Sequence, residues 1–174
     1  IAIFVLQIGV VVLQSHAADE GIFTGVDISL NGDGSVIAKL STDQKTLTIT
    51  GTGEMGGNRP WDYYEEKITT VKINQGVKRI GSKAFQCCFN LKNVTIPSSV
   101  TSIGQYAFNN CSSLTSITIP SSVTSIEQCA FRNCSSLTSI TIPSSVTSIG
   151  ESAFEICSSL TSITIPSSVT YIGM

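Results

Sequence analysis

One histidine, six cysteines and twelve acidic side chains are the groups from which this chain could build a reactive or metal-binding centre. His16 lies in an apolar N-terminal stretch that reads as a removable segment. The mature chain then has no imidazole to act as base for a serine or cysteine nucleophile, or to complete a mixed zinc site. Gly51-Thr52-Gly53-Glu54-Met55-Gly56 has the glycine spacing of a dinucleotide loop and succeeds the strand-like run TLTIT. The next residues, Gly57-Asn58-Arg59-Pro60-Trp61, cannot open the helix whose N-terminus would hold a pyrophosphate, so a glycine-rich turn is expected. NGDGS at residues 31–35 hints at a calcium loop but lacks the alternating acidic ligands and the closing glutamate, and a hairpin turn is expected instead. Asp62, Glu65 and Glu66 beside Trp61 read as a solvated approach to the first repeat unit rather than a carboxylate pair. No catalytic residue, cofactor or metal site is expected.

The elements that must position everything else are written in a repeat. CSSLTSITIPSSVTSI begins at Cys111 and again at Cys134, and at Cys157 it recurs with Tyr171 in place of one serine. Leu91, Leu114, Leu137 and Leu160 share one register, as do Pro97, Pro120, Pro143 and Pro166, and Phe85, Phe108, Phe131 and Phe154; a weaker copy runs through Ile68, Val71, Ile73, Val77 and Ile80. A period between 20 and 30 residues marks a solenoid. LTSITI fits L-x-x-L-x-L, so Leu114, Ile117 and Ile119 point inward, and strands are expected at 68–73, 91–96, 114–119, 137–142 and 160–165. Pro120 has no N–H and ends its strand. Val123, Ile126, Ala130, Phe131 and Cys134 supply the inward groups of the return path, on short turns or a single-turn helix. About six large apolar side chains per unit give on the order of 10–18 kcal/mol. Each ordered residue costs about 1.5 kcal/mol, so one unit cannot fold alone and stacking is obligatory.

Cys88, Cys111, Cys134 and Cys157 fall on one repeat position and are expected to form a buried ladder of small apolar groups. Stacked coils also bring such pairs within disulfide range, which is the alternative. Cys87 and Cys129 are off the ladder; Cys129 replaces Tyr106 and Ser152 of neighbouring units and is expected to be exposed.

Pro-Ser-Ser-Val-Thr-Ser-Ile-Gly, then Ala-Phe, then Asn-Cys-Ser-Ser-Leu (residues 97–104, 107–108 and 110–114) resemble the BspA-like leucine-rich repeat family of bacterial and protist surface proteins. The resemblance runs from about residue 47 to the end and takes in LTITGTGEM and RPWDYYEEKITTVKI. It implies a secreted or surface-displayed, non-enzymatic binding protein, often an adhesin. The fold class is then a β-rich solenoid: a right-handed coil with one parallel sheet, short turns or single-turn helices opposite, and a small N-terminal β cap.

The chain divides into three segments. Residues 1–17 (IAIFVLQIGVVVLQSHA) read as a signal peptide that lacks its own start, with Ser15 and Ala17 spaced for cleavage before Ala18; an uncleaved anchor is the rival. Residues 18–66 alternate strand-like runs with turn residues and form the cap. Residues 67–174 are the solenoid, which stops in mid-repeat at Met174, so further coils or an anchoring domain are expected beyond it. Localisation is expected to be secreted or cell-surface, with membrane attachment only through an anchor outside this sequence.

Function is expected on the outward strand positions: Lys92, Asn93 and Thr95; Thr115, Ser116 and Thr118; Thr138, Ser139 and Thr141; Thr161, Ser162 and Thr164. The net charge is −2, and from Val94 onward the charged residues are Glu127, Arg132, Glu151 and Glu155, which leaves no basic patch there for a nucleic-acid backbone. The expected partner is a protein or cell-surface ligand. A structural spacer within a larger surface protein is the alternative, since Ser and Thr are also simply good soluble strand residues. A flat Ser-x-Thr array also admits an ice-binding face, which thermal hysteresis would reveal. Asn93-Val94-Thr95, Asn110-Cys111-Ser112 and Asn133-Cys134-Ser135 are glycosylation sequons, with Asn93 expected to be the most accessible.

Overall fold

The computed structural model describes residues 23–173. His16 and the expected signal peptide lie outside them. In chain order the strands are β1 (Thr24–Asp27), β2 (Val36–Leu40), β3 (Thr46–Gly51), β4 (Gly53–Glu54), β5 (Thr70–Ile73), β6 (Val77–Ile80), β7 (Asn93–Thr95), β8 (Ser102–Ile103), β9 (Ser116–Thr118), β10 (Ser125–Ile126), β11 (Ser139–Thr141), β12 (Ser148–Ile149) and β13 (Tyr171–Ile172). The one helical segment among the described residues is a 3-10 turn at Asp62–Tyr64.

The cap is three antiparallel strands, β1 on β2 and β2 on β3, and it flows into the solenoid because β3 pairs in parallel with β5, and β5 with β7. The pair β9–β11 packs beside β7 as a separate two-stranded parallel sheet on the same side of the coil, with Ser116 opposite Ser139 and Thr118 opposite Thr141. The four solenoid strands β5, β7, β9 and β11 are shorter than the sequence suggests, since each begins two residues after its leucine or isoleucine. No strand forms at 160–165, although the same unit contributes β13 to a parallel pair with β12.

A second parallel sheet, not expected from the sequence, runs β4-β6-β8-β10-β12-β13. Its repeating members are the Ser-Ile pairs Ser102-Ile103, Ser125-Ile126 and Ser148-Ile149, stacked in register. The return path between Ile126 and Leu137 consists of turns, with no single-turn helix.

Inside the coil the repeat positions stack as ladders. Phe85, Phe108 and Phe131 are fully buried, with ring centroids 5.3 Å apart, and Phe154 continues at 5.5 Å. Trp61 heads this column: it is fully buried, lies 6.0 Å from Phe85, and donates its indole N–H to the Ala84 carbonyl at 2.9 Å. Trp61 thereby joins cap to coil, since an indole with its N–H satisfied can be buried without penalty.

Candidate functional site

All twelve outward strand positions are exposed: Lys92, Asn93, Thr95, Thr115, Ser116, Thr118, Thr138, Ser139, Thr141, Thr161, Ser162 and Thr164. The parallel register of β9 and β11 aligns Thr118 with Thr141 and Ser116 with Ser139, and β7, which packs beside β9, carries Thr95 and Asn93 at the same repeat positions. Thr161, Ser162 and Thr164 extend the series in sequence but sit outside any strand.

Two sets of hydroxyls elsewhere in the coil are occupied. The second serine of each Pro-Ser-Ser donates to a carbonyl of the preceding coil: Ser99 to Val77 at 2.7 Å, Ser122 to Val100 at 2.6 Å, Ser145 to Val123 at 2.7 Å and Ser168 to Val146 at 2.8 Å. Thr101, Thr124, Thr147 and Thr170 do the same to Lys78, Thr101, Thr124 and Thr147. These groups satisfy carbonyls at the coil corners, which explains much of the Ser/Thr content without a ligand. Thr138 also donates to the Thr115 carbonyl, at 3.2 Å. Ser116, Thr118, Ser139 and Thr141, by contrast, make no side-chain hydrogen bond among the described residues, and their donors and acceptors face solvent.

The cysteine ladder is buried and unbridged. Cys88, Cys111 and Cys134 are fully buried and Cys157 nearly so, and all six cysteines are free thiols. Cys111, Cys134 and Cys157 each lie 3.1–3.2 Å from a phenylalanine carbonyl of the preceding coil, those of Phe85, Phe108 and Phe131, to which the S–H donates. Burial pushes the Cys88 and Cys134 thiols up to about 12 and raises Cys111 and Cys157 as well, so they are poor nucleophiles. Cys129 departs from expectation: it is buried, in a turn whose Cys129 N–H donates to the Glu151 carbonyl of the next coil at 2.9 Å.

The remaining motifs take structural roles. Residues 31–35 lie in the connection between β1 and β2, where Asp27 accepts from the Ser29 hydroxyl at 2.6 Å and from the Gly34 N–H at 3.0 Å. Gly51 adopts φ 114° and approaches Ser35 so closely that a Cβ would sit 2.0 Å from its carbonyl oxygen. Strand β4 comes directly after, with no helix to receive a phosphate. Asp62 and Glu65 are engaged by Arg59 at 3.0 and 3.3 Å. The same guanidinium donates to the Gln86 carbonyl at 2.8 Å, which fastens the cap to the first coil; this use of the acids was not legible from their spacing.

Of the three sequons, Asn93 is exposed on β7, while Asn110 and Asn133 are half-buried. Both of the latter have positive φ, 63° and 58°, a conformation asparagine tolerates better than most residues. Asn133 donates its side-chain amide to the Asn110 oxygen at 2.8 Å, and Asn110 reaches toward the Cys87 sulfur at 3.6 Å. Their presence is thus accounted for by the turn itself.

No curated protein matches the chain. Among solved structures it is similar to the T. pallidum leucine-rich repeat protein, with a TM-score of 0.59 and 24% identity over 81% of this chain and 80% of that one. A leucine-rich cell surface protein from Faecalibacterium prausnitzii is 32% identical, with a TM-score of 0.60 over 91% of this chain and 52% of that one. A leucine-rich repeat protein from Bacteroides ovatus is 31% identical, with a TM-score of 0.56 over 80% of this chain and 36% of that one. The chain therefore spans about half of the second protein and about a third of the third. Residues 62–174 match six copies of the family described as the BspA type leucine-rich repeat region, a span that begins at the 3-10 turn rather than at residue 47, and the chain belongs to that family.

Proposed function

We propose that this chain is the binding region of an exported, cell-surface leucine-rich repeat protein that engages a protein or cell-surface ligand through the exposed strand face and performs no catalysis itself. The observation that carries this reading is a contrast among hydroxyls: the second serine of each Pro-Ser-Ser and the threonine two residues later are consumed by the preceding coil, whereas Ser116, Thr118, Ser139 and Thr141 stand in register on paired strands, exposed and without side-chain partners among the described residues. A regular array of unused donors and acceptors on a rigid sheet is suited to adhesion, because its hydrogen-bonding geometry is set before a ligand arrives. The similarity to a protein described as a leucine-rich cell surface protein supports the location. Asn93 is the proposed acceptor if the chain is glycosylated, and a sugar there would cover the first part of the face.

The spacer reading draws on a specific feature, the identity of Thr115-Ser116-Ile117-Thr118 with Thr138-Ser139-Ile140-Thr141. Capture of the purified chain on extracellular matrix proteins and on cells decides between the two. Adhesion predicts measurable capture that is abolished by Thr118→Arg with Thr141→Arg, two exposed substitutions that leave the core untouched. A chain that captures nothing, or a variant that captures equally well, sinks the adhesive face.

A further inference from the structure

The exposed strand face is not uniform along the solenoid. All seven lysines lie between residues 39 and 92, and four of them, Lys39, Lys45, Lys72 and Lys92, are exposed on or beside the continuous sheet β2-β3-β5-β7. Strand register places them. Lys39 pairs with Thr48, Thr48 with Lys72, and Lys72 with Thr95, giving one row in which lysine and threonine alternate. The Lys45 carbonyl accepts from the N–H groups of Thr69 and Thr70, and the Thr69 carbonyl accepts in the same way from Lys92 and Asn93. Lys45, Thr69 and Lys92 are therefore a second row, at the corner where each coil enters the sheet. Four consecutive strands thus carry one lysine each, alternating between the two rows, and lysines of one row are about 9.6 Å apart at two strand spacings.

None of the four lysines forms a salt bridge among the described residues, where every ion pair uses an arginine. Two acids lie close to the strip, Asp27 on β1 opposite Ile37 and Asp43 within the charge field of Lys45, and both are hydrogen-bonded in their own turns. Asp43 accepts from the Ser41 hydroxyl at 2.6 Å and from the Lys45 N–H at 3.1 Å within its own turn, and Asp62 and Glu65 lie on Arg59. Glu54 is in the other sheet, and Glu66 precedes β5 without a place on a face strand. Beyond β7 the face is neutral.

We infer that this zigzag of Lys39, Lys45, Lys72 and Lys92, interleaved with Thr48, Thr69, Asn93 and Thr95, is a docking strip for a linear acidic polysaccharide bearing sulfate or carboxylate groups. The inference deepens the strand-face reading and rests on it. Charge complementarity fixes the sign of the ligand. The interleaved side chains offer hydrogen bonds to hydroxyls, and no aromatic or arginine anchor of the kind that dominates protein interfaces stands among them, which favours a hydrated glycan over a folded protein. Lysine, a compact and strongly hydrated point charge, suits a ligand whose charges are spaced along a flexible chain.

The test uses heparin as the sulfated polysaccharide, with polyglutamate and duplex DNA as competitors of equal charge. Lys39→Gln with Lys72→Gln, and separately Lys45→Gln with Lys92→Gln, should each weaken heparin binding by roughly tenfold at low salt and flatten its salt dependence. Lys78→Gln with Lys83→Gln removes the same charge from exposed positions off this face and should leave binding unchanged. Equal loss in that control, or no loss in the face variants, overturns the strip. Polyglutamate or DNA competing as well as free heparin overturns the glycan in favour of an acidic protein segment or of unselective charge. Heparin binding that survives Thr118→Val with Thr141→Val, which removes hydroxyls without adding charge, in a chain that fails to adhere, separates this strip from the hydroxyl face.

Discussion

Ile156 holds the position that Asn110 and Asn133 hold in the preceding coils, at φ 61°, with more than half of its surface exposed. A β-branched side chain in the left-handed region crowds its own backbone, at a cost of roughly 1–2 kcal/mol that an asparagine largely avoids. Ile156→Asn should therefore stabilise the chain by about 1 kcal/mol, raising Tm by about 2–4 °C for a protein of this size. It also gives the Asn133–Asn110 amide ladder a third member. A thermal scan that shows no gain, or a loss, would mean that the apolar contacts of Ile156 outweigh the backbone strain. Asn110 and Asn133 illustrate what the sequence leaves ambiguous at this scale: N-x-Ser is visible as a sequon, but only the dihedral angles show that the turn requires a residue of this type.

Among the elements, the aromatic column is the clearest test of how coils hold one another. Phe131 is fully buried and nearly coplanar with both neighbours, at 5° to Phe108 and 2° to Phe154. Phe131→Ala removes a ring stacked on both sides and should cost about 3–5 kcal/mol, measured by denaturant unfolding. An unchanged midpoint would contradict the stacked interior. The column below Phe85 was legible because phenylalanine recurs in strict register. Its head was not, since Trp61 stands one residue off that register and enters through a 3-10 turn instead of a repeat turn. The inward and outward strand residues were also legible, because L-x-x-L-x-L assigns them by alternation. The second sheet was not legible because most of its members, such as Ser125-Ile126, are two residues long, too short to show a strand alternation; it exists through the stacking that aligns them. The lysine zigzag is hidden for a related reason. Lys39 and Lys45 belong to a cap outside the repeat, and only the pairing of β2 with β3 and of β3 with β5 brings them into line with Lys72 and Lys92.

Over the whole molecule, one ladder of ionisable groups runs through successive coils, and it couples stability to pH. Cys88, Cys111, Cys134 and Cys157 all titrate above the ordinary thiol range when folded, first because burial penalises the thiolate; in Cys111 the neighbouring thiols Cys88 and Cys134 push the same way. Each S–H is therefore kept in the folded chain and lost from the unfolded one once pH exceeds the ordinary thiol value. The unfolded state then binds fewer protons, so stability declines with rising pH. The contribution is fully present below about pH 8.5. It is lost progressively as pH climbs toward the folded value of about 12 for Cys88 and Cys134. Because lysines and tyrosines also titrate at high pH, the decisive quantity is the difference between the protein and Cys134→Ala. At neutral pH the variant should be less stable by about 1 kcal/mol, having lost the S–H bond to the Phe108 carbonyl. As pH rises from about 8 to about 11 that gap should close and then reverse, since alanine has no proton to lose. Two Tm curves that run parallel across the range would show that Cys134 ionises as freely in the folded coil as in the unfolded chain.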